Sequence, residues 1–317
     1  MKTRSIGTLD ASIVGLGCNN FGRRLDLAGT KSVLDAAIEE GVTFLDTADL
    51  YGGTESERFM GEALQGRRDQ VLIATKFGHP ANRDAPAGAR PEDVRSALEA
   101  SLRRLRTDHI DLYQLHMPDA DVPVADTLGA LDDAVRAGQV REIGCSNFSA
   151  AQLQEAEAAA RPGAARFVSV QNEYSMLKRE VEGEVLPTCE RLDIAFLPYF
   201  PLLSGILTGK DRRGRPLPPG TRVTGSERWE AMLTDGVLDV IEELSSFTEQ
   251  SGHELIDLAF AYLLAHRPVA SVIAGATSPA QVRRNARAGS WELSPEQLAA
   301  VEEILDAKGA LLPTTSS

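Results

Sequence analysis

Ile110-Asp111-Leu112-Tyr113-Gln114-Leu115-His116 is a β-like apolar run that ends on a histidine, and the chain repeats this design at roughly even spacing. Phe44-Leu45 runs into Asp46, and Val71-Leu72-Ile73-Ala74-Thr75 into Lys76. Glu142-Ile143-Gly144-Cys145 leads to Ser146 and Asn147, Phe167-Val168-Ser169-Val170 to Gln171 and Asn172, and Ala195-Phe196-Leu197-Pro198 to Tyr199. Stretches with helix periodicity separate the runs. One strand per about 30 residues, each ending in a chemically capable side chain, is how a (β/α)8 TIM barrel collects a site at its C-terminal face. The order alone points to an enzyme.

The flanks fit the same α/β plan. Residues 3–13 read as an N-terminal β-hairpin, with turn residues between two alternating runs, and 13–17 as a first barrel strand. Helices are expected over 26–40, stopped by Gly41, over 55–64, over 91–105 with Pro91 in the first turn, over 125–137, and from the cap Ser149 to 160. Further helices at 180–192, 231–250 and 254–265 precede an eighth strand at 269–274. Extra C-terminal helices follow at 279–288 and 295–307. No linker divides the chain, so 1–317 reads as one barrel domain with a frayed tail at 311–317. The one long irregular stretch, 209–226, is rich in Gly, Pro and Arg; a loop that long inside a compact domain is functional or disordered. Its place after the seventh strand puts it on the active-site side.

Composition narrows the function. With 317 residues, 43% hydrophobic and 25% charged, the chain has the make-up of an ordinary soluble protein with a sizeable core. A formal charge of −13 repels nucleic acid and anionic membranes, so neither is an expected partner. An anionic cofactor held by local groups stays open. Of the basic pairs, Arg103-Arg104 reads as solvated helix surface, and Arg212-Arg213 and Arg283-Arg284 less plainly so. Cys18, Cys145 and Cys189 are sparse and lack metal-ligand spacing, which fits free thiols in a reducing compartment, Cys145 in the core. The start Met1-Lys2-Thr3-Arg4 leads into no secretory apolar core, and no window reaches the length of a membrane span. A cytoplasmic location is therefore expected. The five histidines form no His-x-His or His-Glu-x-x-His pattern, so no metal is expected.

Asp46, Tyr51, Lys76 and His116 have one use in common. A phenol with a pKa of about 10 is a poor proton donor or acceptor near neutrality. A lysine ammonium about 4 Å away, at an effective dielectric near 20, favours the phenolate by roughly 4 kcal/mol. That is enough to lower a tyrosine pKa by up to about 3. An aspartate beside the lysine keeps it charged and oriented, and a histidine at the rim hydrogen-bonds a substrate oxygen. Such a set protonates a carbonyl oxygen while a hydride arrives at its carbon. Singly, each residue has a plainer reading: Asp46 as a cap or turn former, Lys76 as a solvated strand end, His116 as a structural histidine. Their order and their placement on successive strand ends argue for the site.

The segments around them carry a resemblance. Phe44-Leu45-Asp46-Thr47-Ala48-Asp49-Leu50-Tyr51-Gly52, Thr75-Lys76-Phe77-Gly78 and Asp111-Leu112-Tyr113-Gln114-Leu115-His116 resemble the aldo-keto reductase superfamily. So do Gly144-Cys145-Ser146-Asn147-Phe148, Val170-Gln171-Asn172-Glu173-Tyr174 and Leu207-Thr208-Gly209-Lys210, all in family order between Ile13 and Asn285. The resemblance implies an NAD(P)H-dependent oxidoreductase that reduces an aldehyde or ketone to an alcohol by direct hydride transfer. It implies Tyr51 as general acid, Lys76 lowering its pKa, Asp46 pairing with Lys76, and His116 orienting the carbonyl. Ser146, Asn147 and Gln171 match positions that hold the nicotinamide carboxamide, and Tyr199 the aromatic residue that stacks on the ring. Pro201, Leu202, Gly205, Leu207 and Lys210 correspond to the loop over the pyrophosphate. Gly275, Thr277, Ser278, Gln281, Arg284 and Asn285 correspond to the adenosine-phosphate segment, and Gly17 and Cys18 to the first-strand loop near the nicotinamide.

Two departures from the family pattern bear on cofactor and substrate. Position 284 is Arg where related sequences often carry an acidic residue that contacts adenine. Arg283 and Arg284 would set positive charge near an adenosine 2′-phosphate, and the helix after the last strand offers its N-terminus to a phosphate. NADPH is therefore the expected cofactor, with NADH as the alternative. The second departure, Cys18-Asn19-Asn20-Phe21, points to no particular substrate. Pocket walls are expected from Phe21, Phe77, Met117-Pro118, the 209–226 loop and the C-terminal tail.

Other readings explain less. Tyr174-Ser175-Met176-Leu177-Lys178 matches the Tyr-x-x-x-Lys of short-chain dehydrogenases, but Gly15-Leu16-Gly17 runs into Cys18-Asn19-Asn20 without the third glycine of a dinucleotide fingerprint. A Schiff-base aldolase could use Lys76 as nucleophile, yet leaves Ser146, Asn147, Gln171 and Tyr199 unexplained. The alternative function is a nicotinamide-cofactor-binding regulatory or subunit protein that keeps the barrel with little turnover. The expected small-molecule partner is a carbonyl or alcohol; neither its identity nor the oligomeric state is legible.

Overall fold

The computed structural model describes residues 1–82, 88–210, 223–224 and 226–307. Two short strands, β1 (Thr3–Ile6) and β2 (Leu9–Ser12), pair antiparallel from Thr3↔Ser12 to Ile6↔Leu9. Gly7 makes their turn at φ 56°, a left-handed conformation that costs glycine nothing. Eight further strands follow among the described residues: β3 (Val14–Gly17), β4 (Phe44–Asp46), β5 (Leu72–Phe77), β6 (Ile110–Leu115), β7 (Val140–Ser146), β8 (Phe167–Glu173), β9 (Ala195–Tyr199) and β10 (Val272–Gly275). They run parallel and close in the order β10-β3-β4-β5-β6-β7-β8-β9. This is the expected (β/α)8 barrel with its hairpin.

The helices are α1 (Leu27–Glu39), α2 (Glu55–Ala63), α3 (Pro91–Leu105), α4 (Val124–Arg136), α5 (Ala150–Ala159), α6 (Val185–Leu192), α7 (Glu227–Glu230), α8 (Asp235–Gln250), α9 (Leu255–Ala265), α10 (Pro279–Ala288) and α11 (Pro295–Asp306). Local signals set several of their ends. Asp26 caps α1 by accepting the Gly29 N–H, and Ser149 and Gln152 form a reciprocal capping box at α5. β6 is buried along its whole length, as a central parallel strand must be. Its one charged residue, Asp111, is neutralised by Arg68 at 2.6 Å and Arg141 at 2.8 Å.

Three expectations need correction. Residues 180–192 are not one helix: a 3₁₀ turn at Glu180–Glu182 precedes α6. The Glu182 carboxylate accepts from the Tyr174 and Tyr262 hydroxyls and from Arg179, which ties the turn to residues outside the helix. The helix expected at 231–250 starts at Asp235, because the Thr234 hydroxyl caps it by accepting the Val237 N–H at 3.2 Å. Of the pair Arg103-Arg104, Arg103 is solvated, but Arg104 turns inward onto the fully buried Glu57 at 2.6 Å. The expectations for 311–317, for most of 209–226 and for Arg212-Arg213 lie outside the described residues.

The hairpin closes one end of the barrel. Ile6, Leu9 and Ala11 form a buried apolar cluster with the barrel residues Phe44, Ala74, Leu112 and Leu197. That cluster plugs the N-terminal end, so the polar strand ends gather at the other. Among the described residues no helix is long and apolar enough to cross a membrane.

Candidate active site

The last inward residue of β4 meets the inward lysine of β5. Lys76 Nζ lies 2.8 Å from both carboxylate oxygens of Asp46 and donates to the Thr47 carbonyl at 2.9 Å. Lys76 is fully buried and Asp46 only 3% exposed, so this pair sits where charges survive only when matched. Asp46 Oδ1 also accepts from Gln171 Nε2 of β8 at 2.7 Å, and from Gln114 Nε2 of β6 at 3.5 Å. A polar layer from four strands thus caps the apolar plug below it.

Tyr51 leaves β4 and returns over this layer, its ring centroid 5.3 Å from Lys76 Nζ. Here one expectation fails in sign. Burial raises the phenol pKa, the Lys76 ammonium pulls it down, and the Asp46 carboxylate adds to the rise, for a net value above the ordinary 10. The lysine's pull is present, but desolvation outweighs it. Lys76 shows the converse balance: burial disfavours its charge, yet Asp46 and Tyr51 more than offset this and raise its pKa. The phenol therefore stays protonated and the ammonium stays charged.

His116 follows β6, its ring set edge-on to Tyr51 at 6.2 Å between centroids. Burial, with help from Lys76 and His79, drives its pKa down to about 2, so the imidazole is neutral. Among the described residues its buried Nδ1 has no hydrogen-bond partner. A neutral imidazole can offer a ligand a hydrogen bond but has no spare proton to give.

Above these groups opens a cavity of about 850 Å³ at the C-terminal ends of the strands. Asp46, Tyr51 and His116 line it, while Lys76 lies beneath. Of the residues matched to cofactor positions, Gly17, Ser146, Asn147, Gln171, Tyr199, Pro201, Leu202, Gly205, Lys210, Gly275, Thr277, Gln281, Arg284 and Asn285 line it too. Cys18, Leu207 and Ser278 do not. Cys18 and Leu207 are fully buried, and Ser278 serves as the N-cap of α10, its hydroxyl accepting the Gln281 N–H. Tyr174 and Lys178, the dehydrogenase-like pair, are engaged with Glu182 and Glu173 and do not line the cavity.

Several features of the cavity suit a phosphorylated nicotinamide cofactor. In a chain of net charge −13, its described lining carries the cations Arg24, Lys210 and Arg284, against the single carboxylate of Asp46, which Lys76 already holds. The ten-residue helix α10 points its N-terminus at the lining residues Thr277 and Gln281. Between 200 and 205 the backbone is left-handed at Phe200, Leu203, Ser204 and Gly205, a concentration of strain of the kind held at ligand-binding loops. Gly205, at φ 111°, stands where a side chain would be strained. Asn147 donates to the His116 carbonyl at 3.0 Å and accepts the Tyr199 hydroxyl at 2.9 Å, so the β7 and β9 ends are tied to the β6 end. Among the described residues no group of three His, Cys, Asp or Glu side chains is placed to hold a metal ion.

Arg283 is not part of this lining. It pairs with Glu39 at 3.2 Å and Glu40 at 3.5 Å, at the end of α1. Arg284 alone of the two borders the cavity, held by Glu254 at 2.6 Å. Sequence reasoning missed Arg24 and His79, both lining residues. Each lies in the loop after a barrel strand, and that position was the available signal.

Comparison with known proteins agrees with this fold. The family model described as "Aldo/keto reductase family" matches residues 13–306. The chain is 33% identical over 301 residues to a "Probable voltage-gated potassium channel subunit beta" of Arabidopsis thaliana, covering 91% of this chain and 90% of that protein. It is 32% identical over 303 residues to "Probable aldo-keto reductase 1" of Glycine max, covering 93% and 86%. Among solved structures, the glycerol dehydrogenase AKR11B4 from Gluconobacter oxydans superposes with a TM-score of 0.84 at 27% identity, covering 99% of this chain and 98% of that one.

Proposed function

Because the chain belongs to the aldo/keto reductase family, we propose that it is a cytoplasmic, single-domain NADPH-dependent reductase that converts an aldehyde or ketone to the alcohol. The observation that carries this reading is the buried Lys76–Asp46 pair beneath a protonated Tyr51, with a neutral His116 beside it.

The chemistry that NADPH would supply, when bound, is a hydride for the carbonyl carbon. Tyr51 gives its phenolic proton to the carbonyl oxygen as that carbon is reduced, so C=O becomes CH–OH and the side chain is left as phenolate. Lys76 stabilises the phenolate, and Asp46 keeps Lys76 charged. His116 donates its ring N–H to the same oxygen and fixes the carbonyl's direction. Ser146, Asn147 and Gln171 would hold the carboxamide and Tyr199 the ring face. The 201–210 loop would cover the pyrophosphate, and the α10 N-terminus with Arg284 would take the adenosine phosphate.

A panel of aliphatic, aromatic and sugar carbonyls, followed by loss of NADPH absorbance, tests the reading. Turnover with at least one class is expected, and none with any class would overturn it. The cofactor preference has its own test. Arg284→Ala is expected to weaken NADPH binding about 10-fold, the scale of one charge-assisted hydrogen bond to an exposed phosphate, and to change NADH binding little. Equal losses would remove the 2′-phosphate role.

The likeness to a channel subunit favours a second reading, a cofactor-binding regulatory protein with slow turnover. Single-turnover oxidation of bound NADPH by an aromatic aldehyde separates the two, since a regulatory protein gives a flat signal across the panel.

A further inference from the structure

Two of the pocket walls expected from the sequence, Phe21 and Phe77, do not border the cavity, whereas Met117 does. Phe21 and Phe77 are both fully buried, Phe77 stacked on Tyr113 with centroids 4.7 Å apart. Around Tyr51 the lining from the ends of β5 and β6 is instead His79, His116 and Met117. Among the described residues, these two strand ends thus give the cavity two histidines and a methionine rather than phenylalanines.

His79 lies two residues beyond β5, and its ring meets that of His116 edge-on, with centroids 4.8 Å apart and planes at 70°. Its Nδ1 accepts the backbone N–H of Ala81 at 3.0 Å. A ring nitrogen that accepts carries no proton, so the proton of the neutral ring is on Nε2. Burial holds the His79 pKa below the ordinary value, which keeps the ring in that neutral form. His116, also neutral, likewise carries one N–H. Two neutral imidazoles, each with one N–H, border the same cavity with their rings in contact, so they are within reach of neighbouring oxygens of a ligand rather than distant ones.

We infer that His79 is a specificity-determining residue that donates a hydrogen bond to a second oxygen of the substrate, and that the site selects carbonyl compounds with a hydroxyl on the adjacent carbon. His116 takes the carbonyl oxygen and His79 the hydroxyl next to it. A substrate without that hydroxyl leaves the His79 N–H without an acceptor once water is displaced, and this is what separates the two classes. The inference rests on the carbonyl-reductase reading and adds the substrate class to it.

The test compares 2-hydroxypropanal with propanal, which differ by the one hydroxyl, using NADPH and the full-length protein. In His79→Leu, kcat/KM for 2-hydroxypropanal is expected to fall about 10-fold, while that for propanal stays within about 2-fold. His79→Gln, which keeps an N–H donor, should recover part of the loss and guards against a folding defect in the first variant. Equal changes for both aldehydes, or no hydroxyl preference in the unmodified protein, would overturn the inference and leave the reductase reading standing. No activity on either aldehyde or on the wider carbonyl panel would overturn both.

Discussion

Tyr51→Phe is expected to keep NADPH binding and to lose carbonyl reduction by about 10³-fold, within the range for removing a positioned general acid. The substitution keeps the ring, and with it the edge contact to His116. It removes only the hydroxyl whose proton the reaction consumes. Apart from Gly17 and Cys18 at the end of β3, the residues matched to the cofactor lie on β7 to α10 and the loops between them, and Tyr51 is not among them, so titration of NADPH fluorescence should give an affinity close to that of the parent. Turnover near the parent's would sink the assignment of Tyr51 as the acid. The raised phenol pKa sets the direction of the pH response. Reduction needs the protonated phenol and should be insensitive to Tyr51 between about pH 6 and 9; alcohol oxidation needs the phenolate and should still be rising at the top of that range.

The strand ends were legible because a barrel writes its site at fixed places: the last inward residue of a strand and the first few residues after it. Gly17, Asp46, Lys76, Ser146, Gln171, Tyr199 and Gly275 all sit within their strands' last residues, and His116 one past β6. Period-two alternation carried more than was drawn from it. If Lys76 points into the barrel, Phe77 must point out, and it does, onto Tyr113. Placing Phe77 in the pocket set aside that alternation.

Helix geometry bears similarly on Arg283 and Arg284. Adjacent helical residues point about 100° apart, so both could hardly face one phosphate. Which of them turns to the cavity depends on Glu39, Glu40 and Glu254, distant in sequence and invisible to spacing. The sign of the Tyr51 shift was also beyond the sequence, because a Coulomb estimate knows a charge and a distance but not how much water burial removes. The same limit hid Asp49, whose carboxyl, buried beside Glu57, is pushed up to about 7. His79 went unread for a different reason. A histidine in a loop says little until its Nδ1 acceptor bond and its neighbour His116 are in view.

Lys76→Met is expected to damage stability and turnover together, and adding Asp46→Leu to restore only the first. Removing one partner of a buried ion pair costs about 3–5 kcal/mol, because the other charge is left without a counter-ion. Asp46 keeps the Gln171 and Gln114 amides as donors, which places the loss at the lower end of that range. Replacing both partners by apolar groups removes the stranded charge, and such replacements are often neutral. Here recovery should fall short by about 1–2 kcal/mol, since the Thr47 carbonyl loses its donor and the Gln171 amide its acceptor. Urea unfolding of the two variants reads this directly. Turnover should stay at least about 10²-fold down in both, because neither returns a cation to the Tyr51 phenolate. A double variant as unstable as Lys76→Met alone would show that the uncompensated carboxylate is not the source of the loss. A double variant that regained turnover would show that Lys76 is not what stabilises the phenolate, and the proton would then have to leave Tyr51 by a route that needs no charge beneath it.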